Sequence, residues 1–324
     1  INSPFHFPIL QAKCYNFAPK DNNNVTLIME KLKAKFCRYD MVCDNPKIGS
    51  VEVIPLPEFY YTKSEIEIAQ THVHTFYEIV WFLEGEGSHT VDFTEYTITP
   101  NTFFFIAPGQ LHSFTRNNSQ KGVVMKICNH LLEEELSAEG ILMKYNLFSN
   151  YDSVPFKKTS PESVPLIEAI VRQIEAATKN ADSIGHHDYL QSLVKILLIQ
   201  IERCQIGRDD TIFSVTRTAH RTFLAFRREI ERNYRTKHTV KEYADLLNIS
   251  TKTLNNYISE CSSFSPLEMI NNRSSLEAKR LLRYSNMMIK EIAFELGFDE
   301  PSYFFKFFKR LVKCSPAEYR GPAE

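Results

Sequence analysis

The sequence predicts a multidomain α+β chain, a β-barrel with accessory helices followed by an all-α domain. Three observations carry this. Apolar residues alternate with period two between Val51 and Ile127. Beyond Leu131 the period becomes helical. Between Val240 and Arg310 one helix-turn-helix pattern is written twice. A length of 324 residues suits two domains of ordinary size.

Composition narrows the class. Hydrophobic content of 43% and charged content of 24% describe a globular protein, and no apolar run reaches the roughly 20 residues of a membrane span. The opening "INSPFHFPIL" lacks the features of a signal peptide. Seven scattered cysteines without a CxxC predict reduced thiols and a cytoplasmic protein. Net charge is −1, but residues 221–320 hold 18 Lys and Arg against 12 Asp and Glu. A basic C-terminal block behind an acidic body points to a polyanionic partner, with uneven solvation of two domains as the plainer explanation.

Taken in order, residues 1–50 are Asn-rich around "KDNNNV", with a short helix expected at "TLIMEKLKAKF" and no assigned role. Residues 51–130 contain "VEVIPL", "EIVWFLEGEGSHTVDF", "TFFFIAPGQLHSF" and "GVVMKI", short β-rich runs divided by Gly, Pro and Asn turns, as in a barrel or sandwich. Gly85-Glu86-Gly87 is expected to form a hairpin turn. Residues 131–206 are helical. Ser160-Pro161 opens one helix, and Leu190, Leu193, Val194, Leu197, Leu198 and Ile201 share one broad face of the next. A stripe that wide is usually core, but it also exceeds what one flanking helix should cover, so it is expected to pair two copies of the chain as well. Residues 207–220 read as a linker, and residues 221–324 as the last domain.

In that domain "TVKEYADLLNISTKTLNNYISE" and "MIKEIAFELGFDEPSYFFKFFKR" follow one grammar. Val240, Ala244 and Leu247 in the first, and Ile289, Ala293 and Leu296 in the second, face inward. Ala244 and Ala293 allow close helix crossing. Asn248 and Gly297 stand where the turn needs a left-handed backbone. Leu254 and Ile258, then Phe304 and Phe308, close the core from the second helix of each unit. Phe305, Lys306, Lys309 and Arg310 point away from it.

"SLEAKRLL", "IKEIAFELGF", "SYFFKFFKR" and "SPAEYR" resemble the C-terminal DNA-binding domain of AraC/XylS-type bacterial transcription regulators over roughly residues 221–320. The resemblance implies two helix-turn-helix units joined by a rigid helix, about Pro266 to Tyr284, reading successive major-groove segments of double-stranded operator or promoter DNA. Its base-reading positions fall on Lys252, Asn255 and Asn256, then on Ser302, Phe305 and Lys306. Asn can bridge adenine, Lys can reach guanine and Phe305 can pack on a thymine methyl. Pro301 departs from that pattern and reads as a helix start. Arg273, Lys290, Lys309 and Arg310 are phosphate-contact candidates, each against the alternative of simple solvation.

"THVHTFYEIVWFLEGEG" with "APGQLH" resembles the cupin-like effector domain found at the N-terminus of the same family. That implies a barrel holding a small molecule, such as a sugar, with His74, Tyr77, Trp81, Phe104 and His112 as lining. His72, His74, Glu78 and His112 match the metal positions of metal-binding cupins, a donor set suited to a divalent transition ion. Pro108-Gly109 and the missing Gly before His72 depart from that pattern. Hydrogen-bonded structural histidines are therefore favoured, and no cofactor is expected. The resemblance implies a non-enzymatic, effector-responsive transcription factor that forms a homodimer and meets RNA polymerase, with no membrane partner. A metal-dependent cupin enzyme carrying a DNA-binding appendage is the alternative. A coating protein for nucleic acid would need an aromatic stacking strip that the chain lacks.

Overall fold

The computed structural model describes residues 37–39, 41, 50–62, 68–133, 147–148, 154–204 and 217–321. The helix expected at "TLIMEKLKAKF" lies outside the described residues, as does most of the linker.

Two five-stranded sheets face each other. The first runs in the order β1 (Cys37–Tyr39), β3 (His72–His74), β8 (His112–Phe114), β5 (Gly87–Val91), β6 (Thr94–Ile98). The second is β10 (Phe156–Lys158), β7 (Thr102–Ile106), β4 (Tyr77–Glu84), β9 (Lys121–Ile127), β2 (Val51–Pro55). Only the β1–β3 pair among these is parallel. Helix α1 (Leu56–Thr62) follows β2, and α2 (Asn129–Glu133) follows β9.

The near-continuous apolar runs of β4 and β7 arise because both faces of the second sheet are covered. Ile79, Trp81, Phe103, Phe105 and Met125 pack outward on α3 (Val164–Thr178) and α4 (His186–Arg203). Val80, Phe82, Phe104, Ile106 and Val124 face the space between the sheets. Gly85-Glu86-Gly87 is not the expected hairpin turn. β4 and β5 belong to different sheets, and the segment is the crossing between them. Gly85 has φ +95°, and a Cβ there would stand 2.6 Å from Gln120 Cα, so the crossing lies flat against Gln120, just before β9, only as glycine.

The broad apolar face of α4 is also filled from within the chain. Leu193 is 4% and Leu197 1% exposed, both packed with α3 and the second sheet. The expectation that this face is left over for a second copy overlooked the sheet as the surface that covers it. Cys128 is disulfide-bonded, against the expectation of thiols throughout, while Cys204, Cys261 and Cys314 are free.

The last domain begins at α5 (Arg217–Asn233), inside the expected linker. It continues with α6 (Val240–Leu246), α7 (Thr251–Cys261), α8 (Pro266–Tyr284), α9 (Ile289–Glu295), α10 (Pro301–Val312) and α11 (Pro316–Arg320), all on one core. Ser265 and Glu268 form a capping box that starts α8 immediately before Pro266. Among the described residues, no helix is long and apolar enough to cross a membrane.

Candidate nucleic-acid interface and a buried histidine cluster

The two helix-turn-helix units are built by the same backbone bonds. Ile249 N–H donates to Ala244 O at 3.0 Å, and Phe298 N–H to Ala293 O at 3.0 Å. Asn248 (φ 54°) and Gly297 (φ 76°) both occupy the left-handed region. They are not interchangeable, because a Cβ at Gly297 would meet Arg235 O at 2.0 Å. There the loop after α5 presses on the second turn, and His238 stacks on Phe298 at 4.8 Å.

Helices α7 and α10 each bury one edge and expose the other. Leu254, Ile258, Phe304 and Phe308 are fully buried. Lys252, Asn255 and Asn256 are exposed on α7, and Ser302, Phe305 and Lys306 on α10. Asn255 donates to Thr251 O at 2.8 Å, a bond it would exchange on reading a base. Lys309 and Arg310 are exposed further along α10, and Lys290 on α9. Tyr303, 60% exposed on the same side of α10, was missed by the sequence reading. Its position beside Ser302 was the available signal.

Arg273 requires a correction. It is 7% exposed, with Nε 2.9 Å from Glu231, Nη1 3.2 Å from Glu277 and its guanidinium 3.7 Å over the Tyr234 ring. It holds α5 to α8 and presents nothing to a phosphate. Glu277, fully buried, also faces Arg235 at 3.4 Å and Arg280 at 3.8 Å. Burial pushes its carboxyl up, but Arg273, Arg280 and Arg235 outweigh that and hold it below the usual carboxylate range. Arg235 reaches on to Glu295 at 3.0 Å, which ties the first unit to α9 of the second.

Between the sheets, His74, Glu78 and His112 converge, with one ligand atom from each lying within 4.8 Å of the others. His74 Nδ1 donates to Phe76 O, which leaves Nε2 with a lone pair directed at Glu78 Oε1, 4.0 Å away. His112 Nε2 lies 3.7 Å from the same oxygen. None of these three atoms has a hydrogen-bond partner. Burial takes His74 down to about 3 and Glu78 up to about 7. Burial also lowers His112, so these are contacts of mainly neutral groups rather than ion pairs.

His89 completes the cluster, with its Nε2 3.1 Å from His112 Nδ1. Sequence reading missed it, although its parity on β5 gives the signal. His72 packs against the trio, its ring 4.2 Å from that of His112, but adds no ligand atom to it, with Nδ1 donating to Gln70 O. Two of the expected lining residues are elsewhere. Trp81 stacks on Phe103 at 4.9 Å and Tyr77 meets Phe148 at 4.8 Å, both on the helix-covered side of the second sheet. They have the opposite parity to Glu78 on β4, so they cannot share its face. Phe104 does face the cluster, 4.4 Å from His89. Two imidazole nitrogens and a carboxyl suit a hydrogen-bond donor or a divalent ion.

Two family descriptions match this chain, a helix-turn-helix domain over residues 243–321 and an AraC-like ligand binding domain over residues 61–194. The chain is 22% identical over 253 residues to the HTH-type transcriptional activator RhaS of Enterobacter sp. (strain 638), covering 77% of this chain and 86% of that protein. It is 25% identical over 255 residues to the HTH-type transcriptional regulator YfiF of Bacillus subtilis, covering 77% and 78%. Both relatives are named as regulators, not as enzymes. Among solved structures, ToxT from Vibrio cholerae is 15% identical with a TM-score of 0.36, covering 83% of this chain and 97% of that one.

Proposed function

The chain belongs to the AraC family of transcription regulators, and we propose that it reads two neighbouring major-groove segments of one operator under the control of a small polar effector held in its barrel. The observation that supports this best is the repeated turn. Two units closed by the same pair of turn bonds share one core, and each exposes one edge of its second helix, α7 or α10. Lys252, Asn255 and Asn256 are assigned to the first segment. Ser302, Phe305 and Lys306, with Tyr303 beside them, are assigned to the second. Lys290, Lys309 and Arg310 take phosphates.

Selecting bound sites from random DNA, with and without candidate sugars, tests the whole reading. A selected site should contain two short elements about one helical turn apart. A single element, or no enrichment, would sink it. Within that assay Lys306→Ala is expected to lose about 1–3 kcal/mol on the preferred site and to relax preference at one or two base pairs. Lys309→Ala should weaken all sequences alike and reduce the salt slope by roughly one unit. If the two variants exchange these behaviours, α10 faces the groove the other way round.

The effector is assigned to His74, Glu78, His89 and His112, whose unpartnered polar atoms include both donors and acceptors and favour a molecule rich in hydroxyl groups, such as a sugar. A divalent ion on His74, Glu78 and His112 is the competing occupant, and metal analysis of purified protein separates the two. Homodimerisation is assigned to the uncovered edge of α4, where Tyr189 is 53% and Ile196 45% exposed one heptad apart. Ile196→Glu is expected to give a folded monomer by sedimentation. An unchanged sedimentation coefficient would move the pairing surface elsewhere.

A further inference from the structure

The strands that hold the histidine cluster on one face touch the DNA-binding domain with the other. Side chains alternate along a strand, so Val73, between His72 and His74, points away from the cluster, and so does Leu111 beside His112. Both are buried, and both pack with Tyr284 at the end of α8. Leu111 O accepts from Asp92 N–H at 2.7 Å. Asp92 and Phe93 form the two-residue turn between β5 and β6, with Asp92 left-handed at φ 52°.

This turn reaches across to the helical domain. Arg280 grips Asp92 through two parallel bonds, Nε to Oδ1 at 2.7 Å and Nη2 to Oδ2 at 3.0 Å. Gln110 fixes the same carboxylate from behind, donating to Oδ2 at 3.0 Å while it accepts from Ala107 N–H. Phe93 stacks on Tyr284 at 5.6 Å and meets Tyr319 of α11 at 6.0 Å. Tyr319 in turn lies 5.4 Å from Phe308, on the buried edge of α10.

We propose that the outer face of the histidine sheet is a docking surface for the DNA-binding domain, with Asp92 and Phe93 as its key, and that docking controls how α10 is presented to DNA. Two routes leave the key. One is ionic, through Arg280 and Glu277 to Arg235 and Glu295. The other is aromatic, through Tyr319 to Phe308. Residues 110–112 form one short stretch, so a shift of His112 on its inner side displaces Gln110 and Leu111 on the outer side. The signal carried this way rests on the cluster being the effector site, whereas the docking itself does not.

The test compares Asp92→Asn, Phe93→Ala and the parent as full chains, by amide hydrogen exchange and by titration with the selected operator. Asparagine tolerates the left-handed backbone and still accepts from Gln110, so Asp92→Asn removes the charge and keeps the turn. In both variants exchange across residues 281–285 and 316–320 is expected to rise about tenfold or more, and operator affinity to shift about fivefold or more. Unaltered exchange in those segments overturns the docking, and raised exchange with unaltered affinity overturns the control. A thermal melt followed by Trp81 fluorescence confirms that the barrel of each variant is folded. No effector enters these measurements. A separate failure, in which Glu78→Gln leaves an effector response intact, would therefore count against the effector assignment alone.

Discussion

Phe304→Ala should destabilise the DNA-binding domain by about 3–5 kcal/mol, because it empties a fully buried position in the core shared by both helix-turn-helix units. The ring lies 5.5 Å from Phe298 and 5.8 Å from Phe308, so the cavity opens beneath the second turn and α10 together. The chain supplies its own control. Its single tryptophan, Trp81, lies in the barrel against Phe103, so fluorescence follows barrel unfolding while helical circular dichroism reports mainly on the other domain. The helical transition should fall well below that of the parent, and the fluorescence transition should move little. DNA binding at a temperature where the variant remains folded should keep its sequence preference. Loss of preference without loss of stability would mean that Phe304 reads DNA.

Glu277→Ala is expected to cost a comparable amount, about 3–5 kcal/mol, for an electrostatic reason. The carboxylate is fully buried and shared by Arg273, Arg235 and Arg280, and its removal leaves each guanidinium one acidic partner instead of two, with N–H groups unpaired at a largely buried junction. Glu277→Gln retains hydrogen-bond acceptance and should lose less. A pH dependence accompanies this. The folded carboxyl titrates below its unfolded value of 4.5, so its contribution is complete above that pH and is lost as pH falls further. Denaturant melts at neutral and acid pH measure both effects. If the alanine variant were as stable as the parent at neutral pH, Glu231, Glu295 and Asp92 alone would satisfy the three arginines.

The double turn was legible because it depends on residue type at fixed offsets. Ala244 and Ala293 admit the crossing, and Asn248 and Gly297 admit the left-handed backbone. The start of α8 at Pro266 was implied by the family resemblance, and the Ser265–Glu268 capping box is the local reason for it. Arginine burial was not legible. Arg273 and Lys309 look alike in a helical pattern, and only the junction of α5 with α8 makes one internal and leaves the other in water. The barrel showed which residues share a face without showing which face is inside. Tyr77 and Trp81 share one parity and Glu78 has the other, so the three could not line one site. Strand alternation alone dictates that much. It says nothing of the Asp92–Arg280 contact, because its partners are 188 residues apart and nothing local marks either one.

The ion network on α8 also bears on how such a chain can arise. Without Asp92, three arginines (Arg235, Arg273 and Arg280) face three glutamates (Glu231, Glu277 and Glu295) inside the helical domain. The set is balanced before the barrel contributes anything. A recombination event that cut the gene in the linker would leave no stranded charge on the helical side, and the fragment could be spliced behind an unrelated sensor. Only one acidic residue on a surface turn is then needed to engage Arg280. Domain exchange of this kind requires a part that is electrostatically complete and still has one guanidinium free to adopt a new neighbour, and this domain meets both conditions.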